Sequence, residues 1–259
     1  MSTRNGAPTW IDLGTNDLAG AKQFYTDLFG WTYQDTGEEF GHYNIILSEG
    51  APVGGLMDMT ANPETADQPP AWGVYLKVAD IAATTELVRT HGGQVLFEPM
   101  PVGDMGSMAI YLDATGAMVG AWQDGTFSGT EFTLQPGSPV WFEIMSTDFD
   151  ASVDFYQQVF GWELSAMPSD GDDNFRYSTF GAGNDAVAGI CDASGFLPAG
   201  TTSYWRYYLG VVNADETAAQ FRAKGGQVLD GPADSPFGRF ATVADPQGAQ
   251  FQINQDPSA

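Results

Sequence analysis

The chain has 259 residues, 43 % of them hydrophobic, which suits one large domain or two of about 130 residues each. Its 33 acids against 9 bases give a formal net charge of −24, so nucleic acid and anionic membrane surfaces, which would meet like charge, are not expected partners. A single cysteine, Cys191, excludes an intrachain disulfide and a cysteine-cluster metal site.

Neither a signal-peptide core nor an apolar run near the ~20 residues of a membrane span is present, which predicts a cytoplasmic protein. The first element, Trp10 to Thr15, alternates as a strand does. Asp17 can cap the helix that follows, Leu18 to Phe29, with Ala21, Phe24 and Leu28 at helical spacing and Gly30 as its stop. Short strands are predicted at Thr32 to Gln34, Tyr43 to Leu47 and Val53 to Met57. A second unit of the same kind follows: the strand Gly73 to Val78, a helix from Asp80 through Val88 stopped by Gly92-Gly93, then the strands Gln94 to Phe97, Met108 to Leu112 and Ala117 to Trp122.

The chain then repeats itself. Pro8-Thr9-Trp10-Ile11-Asp12-Leu13 returns as Pro139-Val140-Trp141-Phe142-Glu143-Ile144, and Phe24-Tyr25 with Phe29-Gly30-Trp31 returns as Phe155-Tyr156 with Phe160-Gly161-Trp162. Gly92-Gly93-Gln94-Val95 is answered by Gly225-Gly226-Gln227-Val228, and Asp113-Ala114-Thr115-Gly116 by Asp245-Pro246-Gln247-Gly248. A period this long means duplicated domains rather than a solenoid. The reading is four βαβββ units of α+β class, grouped as a domain over 8–123, a linker over 124–138 and a second domain over 139–255.

This order of motifs, found twice, resembles the vicinal oxygen chelate superfamily of glyoxalase I, bleomycin-resistance proteins and extradiol dioxygenases. It is also similar to two-domain actinobacterial glyoxalase-like proteins often called hydroxylases. The resemblance implies that each pair of units wraps a curved mixed sheet around a cleft for a metal or a ligand. It also implies where metal ligands would stand. The first-strand position is Trp10 or Trp141, the position opening the fifth strand is Gly73 or Arg206, and the last-strand position is Gly120 or Gln252. None is His, Asp or Glu, and neither an indole nor a guanidinium offers a lone pair. No metal and no other cofactor is therefore expected, and a metal-dependent glyoxalase-type lyase is the weakest of the functional readings.

Strand alternation turns these positions into candidate sites. If Trp10 and Trp141 face the cleft, so do Asp12 and Glu143. Gly73 and Gly120 then predict Tyr75, Met118 and Trp122 inside, with room for a flat ligand, and Trp72 as a further wall depending on where its strand begins. Arg206 and Gln252 predict Tyr208 inside the second cleft, where Glu143 would lie near Arg206. Asp12 and Glu143 are candidate acids or bases, or else acids satisfied by Arg, Tyr or a backbone N–H. The Glu143–Arg206 pair also reads simply as a structural ion pair. His91 reads as an exposed helix-end residue, His42 as a ligand or base candidate, and Cys191 as inert packing. The leading expectation is a metal-free protein, monomer or homodimer, that binds a hydrophobic or aromatic small molecule of antibiotic or secondary-metabolite type, for resistance or tailoring. The alternative is a metal-independent isomerase, cyclase or hydroxylase-type enzyme using Asp12 or Glu143.

Overall fold

A computed structural model describes residues 4–63, 65–168 and 176–256. The first half runs β1 (Pro8–Thr15), α1 (Leu18–Phe29), β2 (Thr32–Asp35), β3 (Asn44–Ser48), β4 (Ala51–Asp58), β5 (Ala71–Lys77), α2 (Ile81–Thr90), β6 (Gln94–Val102), β7 (Gly106–Leu112) and β8 (Met118–Asp124). The second half repeats this as β9 (Pro139–Ser146), α3 (Phe149–Phe160), β10 (Leu164–Ala166), β11 (Tyr177–Phe180), β12 (Ala188–Asp192), β13 (Tyr204–Val211), α4 (Ala214–Ala223), β14 (Gln227–Ser235), β15 (Gly238–Ala244) and β16 (Gln250–Gln255). These are the four expected βαβββ units.

Each helix begins where a short polar side chain satisfies a free N–H of its first turn. Asp17 accepts from Gly20 N, Asp80 from Ala83 N, Asp148 from Ala151 N and Asn213 from Glu216 N, all at 2.9–3.1 Å. Gly30 and Gly161 end α1 and α3 at φ +67° and +69°, a conformation that costs glycine nothing.

Each half forms one mixed eight-stranded sheet, in the order β2-β3-β4-β1-β5-β8-β7-β6 and β10-β11-β12-β9-β13-β16-β15-β14. Parallel pairing of β1 with β4 sets Asp12 opposite Gly55, and β9 with β12 sets Glu143 opposite Gly189. Parallel pairing of β5 with β8 and of β13 with β16 sets Tyr75 opposite Gly120 and Tyr208 opposite Gln252.

Packing density cuts across the two sequence repeats. One compact unit comprises Met1–Thr9, Val74–Glu131 and Trp141–Arg206; the other comprises Trp10–Gly73, Phe132–Val140 and Tyr207–Ala259. In the first, Tyr156 lies among Phe155, Phe160, Trp162 and Trp205, with Trp162 stacked on Phe180 at 4.9 Å. In the second, Tyr25 lies among Phe24, Phe29, Trp31, Trp72 and Phe251.

The repeated Gly-Gly gains its reason here. A Cβ on Gly93 would stand 2.9 Å from the Phe155 ring, and one on Gly226 would stand 3.0 Å from the Phe24 ring. The second glycine of each pair thus lets an aromatic ring from the opposite repeat close onto the helix end.

Candidate functional site

In the second compact unit, β1 carries Trp10 and Asp12 two residues apart and so on one face. The Tyr43 ring crosses β4 at Gly55, where a Cβ would stand 1.6 Å from the Tyr43 hydroxyl. Trp10 Nε1 donates to that hydroxyl at 2.8 Å. Burial, and then the negative charge of Asp12, push the Tyr43 hydroxyl well above the usual phenol range, while the Trp10 hydrogen bond opposes the shift. Tyr43 is therefore a neutral hydroxyl that accepts from the Trp10 indole N–H within reach of the Asp12 charge.

The first compact unit holds the counterpart. Trp141 Nε1 donates to the Tyr177 hydroxyl at 2.9 Å, and Tyr177 donates onward to Glu143 Oε2 at 2.8 Å. Here too a glycine makes room, since a Cβ on Gly189 would stand 2.1 Å from the Tyr177 hydroxyl. Arg206 Nε donates to Glu143 Oε1 at 2.6 Å, and Arg206 Nη2 pairs with the same oxygen. The Glu143 side chain is 5 % exposed and that of Arg206 20 %, so the carboxylate is enclosed while the guanidinium reaches outward. On the adjoining β12, Cys191 packs with Met145 and Ala193. Burial, together with the nearby Glu143 charge, pushes its thiol up to about 12. Inert packing, as expected of Cys191, is what this environment produces.

The expected alternation thus brings together Trp10 with Asp12, and Trp141 with Glu143 and Arg206. Tyr43 and Tyr177 were missed. Their signal was in the repeat: Tyr43 precedes Gly55, and Tyr177 precedes Gly189, by the same twelve residues.

Other expected site residues sit differently. Trp72 is a correction: β5 begins at Ala71, which puts Trp72 on the face of Val74 and Leu76. There Trp72 donates to the Tyr25 hydroxyl at 3.2 Å and meets Tyr207 edge-on, so it belongs to the buried core. The room expected at Gly120 is also taken within the fold, because the Tyr75 ring fills it; a Cβ there would stand 2.2 Å from Tyr75 Cδ1. Met118 is 44 % exposed at the start of β8. Trp122 is half-buried, its ring lies against Gly106, and its Nε1 donates to Phe127 O at 3.0 Å. Tyr208 is half-buried, edge-on to Phe240, and Gln252 is buried with its Oε1 accepting from Thr242. His42 is exposed on a turn, where it pairs with Asp35 at 3.1 Å, and His91, expected to be exposed, is half-buried after the last turn of α2.

These residues do not fit a divalent metal. Among the described residues no three His, Cys, Asp or Glu side chains converge as a ligand set. Each group just described offers one carboxylate, and that of Glu143 already neutralises a guanidinium whose charge would repel a metal ion. Also among the described residues, no helix is long and apolar enough to cross a membrane.

The sequence matches the family model of the Glyoxalase/Bleomycin resistance protein/Dioxygenase superfamily over residues 8–120 and 138–253. It is 38 % identical over 254 residues to the Mycobacterium tuberculosis protein named "Putative glyoxylase CFP32", covering 96 % of this chain and 95 % of the relative. It is 33 % identical over 262 residues to the anthracycline biosynthesis protein DnrV of Streptomyces peucetius, covering 96 % and 92 %. The fold is similar to the Mn(II)-bound glyoxalase from Novosphingobium aromaticivorans, with a TM-score of 0.64 at 17 % identity over 97 % of this chain and 82 % of that one.

Proposed function

The chain belongs to the glyoxalase/bleomycin resistance protein/dioxygenase superfamily, and from that premise we propose that it binds a hydrophobic, aromatic small molecule without a resident metal ion. The observation that carries this reading is the repeated Trp–Tyr–carboxylate chain, Trp10–Tyr43 beside Asp12 and Trp141–Tyr177–Glu143. Indole and phenol groups supply flat apolar surface, and one carboxylate per half supplies a directional polar contact. A few placed polar groups in aromatic surroundings are what small-molecule sites use.

The relative named for anthracycline biosynthesis supports a ligand from antibiotic or secondary metabolism, held for sequestration or for a tailoring step. The two domains of this reading are residues 8–123 and 139–255. The ligand contacts are Trp10 and Tyr43 in one, and Trp141, Tyr177 and Arg206 in the other.

Native mass spectrometry of the chain purified from a producing host, with elemental analysis of the same sample, tests the reading. The expected result is a co-purifying aromatic compound and no stoichiometric transition metal. One tightly held Zn, Ni or Fe per chain overturns the metal-free part. Failure of any planar aromatic compound to quench tryptophan emission overturns the rest.

A second reading, a metal-independent enzyme, is favoured by one observation: the Tyr177 hydroxyl donates to Glu143 Oε2 at 2.8 Å and so fixes that carboxylate in place. A carboxylate fixed this way can take a proton from a bound substrate and pass it back. Glu143→Gln separates the two readings. Loss of turnover with binding retained supports the enzyme, and a change in affinity alone supports the binding protein.

A further inference from the structure

The strands β6, β7 and β8 of the first repeat turn one face to α2 and leave the other partly open to solvent. Ala109, Tyr111, Val119 and Ala121 are buried on the α2 side, where the Tyr111 hydroxyl lies 2.8 Å from Thr85 Oγ1. Alternation and register put Phe97, Met100, Met108, Ile110, Met118 and Trp122 on the opposite face. Met100, Met108 and Trp122 lie side by side across the three strands, and Phe97 pairs with Ile110 in the next row. Phe97, Met100 and Met118 are 48, 47 and 44 % exposed, and the other three are half-buried.

The second repeat is an internal control. With the Gly-Gly and Asp-x-x-Gly turns aligned, the places of Phe97, Ile110, Met118 and Trp122 are taken by Asp230, Thr242, Gln250 and Asn254. The same strands in the same order thus carry a polar face, so the fold does not require an apolar one here. Clustered exposed apolar side chains, unlike scattered ones, mark a place of contact. The size of the cluster decides the kind of partner. Three large side chains about half exposed present roughly 300 Å². A stable protein interface needs about 800 Å² on each side. In addition, β6 is the edge strand of its sheet, and Pro99 and Pro101 remove N–H donors that an added strand would need.

We propose that this face of the first repeat binds an uncharged, planar, fused-ring aromatic molecule. This rests on the aromatic-ligand reading above and assigns the flat part of the ligand to β6–β8 of one repeat. The face spans three strands and the four-residue step from Met118 to Trp122, about 10 Å by 13 Å, the footprint of about three or four fused rings. None of its six side chains is charged, so an ion would lose hydration there without compensation. Thioethers adapt to the outline of a ligand and make favourable contacts with aromatic rings. Trp122 supplies a fixed wall, because its Nε1 donates to Phe127 O at 3.0 Å and the Phe127 ring meets it edge-on at 6.0 Å.

Titration of the full chain with 1-aminoanthracene, uncharged at neutral pH and brighter in apolar surroundings, tests this. The wild-type chain should bind the probe. Bound probe should also slow the oxidation of Met100 and Met118 by dilute hydrogen peroxide several-fold relative to free methionine in the same solution, read by peptide mass spectrometry. The double variant Phe97→Asp, Met118→Gln carries the second repeat's residues at two exposed places, and should bind about tenfold more weakly or worse. Phe237→Asp, which removes a ring 67 % exposed in the second repeat, should leave the affinity unchanged. A probe that binds without protecting Met100 and Met118, or that binds the double variant as tightly as wild type, overturns the proposal and leaves the aromatic-ligand reading intact. The protection measurement uses the wild-type chain and stands even if the double variant does not fold. A wild-type chain that does not bind the probe overturns the proposal, whatever compound co-purifies.

Discussion

Tyr156 donates its hydroxyl proton to Asp113 across 3.0 Å, although the two residues belong to opposite sequence repeats. Asp113 closes the Asp-x-x-Gly turn by accepting from Thr115 N and Ala117 N, and Trp205 Nε1 donates to the Tyr156 hydroxyl at 2.8 Å. The other compact unit repeats the arrangement with Tyr25, Asp245 and Trp72. Each turn is therefore tied to a helix of the opposite repeat by a hydrogen bond between a buried phenol and a buried carboxylate.

Tyr156→Phe leaves a buried carboxylate oxygen and the Trp205 N–H short of a partner. It should destabilise the chain by about 1.5–3 kcal/mol, the range for a hydrogen bond to a charged group. Urea unfolding of the variant against wild type measures it, and an unchanged midpoint would mean that this bond adds nothing.

Burial raises Asp113 and Asp245 above the usual carboxylate range, against the pull of their hydrogen bonds. A carboxyl whose folded value is raised binds more protons in the native state than in the unfolded one. Its stabilising contribution is therefore fully present below the ordinary carboxylate range and is lost as pH rises through the raised value. Asp113→Asn keeps the turn's acceptor and removes the titration. The Tm difference, wild type minus variant, should widen as pH falls from 8 towards 4 (bounds chosen to bracket, roughly, the carboxyl range). A difference that is flat with pH would refute the assignment.

The Tyr207 hydroxyl is buried with no hydrogen-bond partner among the described residues, and its ring is stacked on Phe251 at 5.3 Å. Tyr207→Phe keeps the stacking and removes an unsatisfied polar atom. It should stabilise the chain by about 1–3 kcal/mol. A loss of stability would show that the hydroxyl has a partner after all, such as a buried water.

Gly189→Ala forces the Tyr177 hydroxyl off its place, because the new Cβ would stand 2.1 Å from it. The expected cost is about 1–3 kcal/mol of overpacking, together with a shift in Trp141 emission as its N–H loses its acceptor. An unshifted spectrum would show that the Tyr177 ring does not lie over Gly189.

Cys191, with a thiol pushed up to about 12 and its side chain packed against Met145, should not react with a disulfide reagent at pH 8 in the folded chain. It should react with one equivalent once urea has unfolded the chain. Fast labelling of the native chain would place the thiol in a different environment.

Much of the architecture was legible in the sequence, because strand alternation, capping residues and the repeat are local and redundant. The same two units, found twice, set Trp10 beside Asp12 and Trp141 beside Glu143 on their strands, and the family resemblance put Arg206 at a ligand position of the second half. What alternation cannot supply is what a side chain meets from a distant segment. Trp72 was offered to a ligand face, yet it lies in the core against Tyr25, since its face depends on the residue at which β5 begins. Gly120 looked like an opening until Tyr75, paired opposite it, filled the space. Tyr43 and Tyr177 entered the site only through the pairing of β3 with β4 and of β11 with β12, which lays each ring across a glycine. The partnership of Tyr156 with Asp113, and of Tyr25 with Asp245, was decided by which repeat packs against which. That choice is made by burial of aromatic surface over the whole chain, a sum that no local stretch of sequence contains.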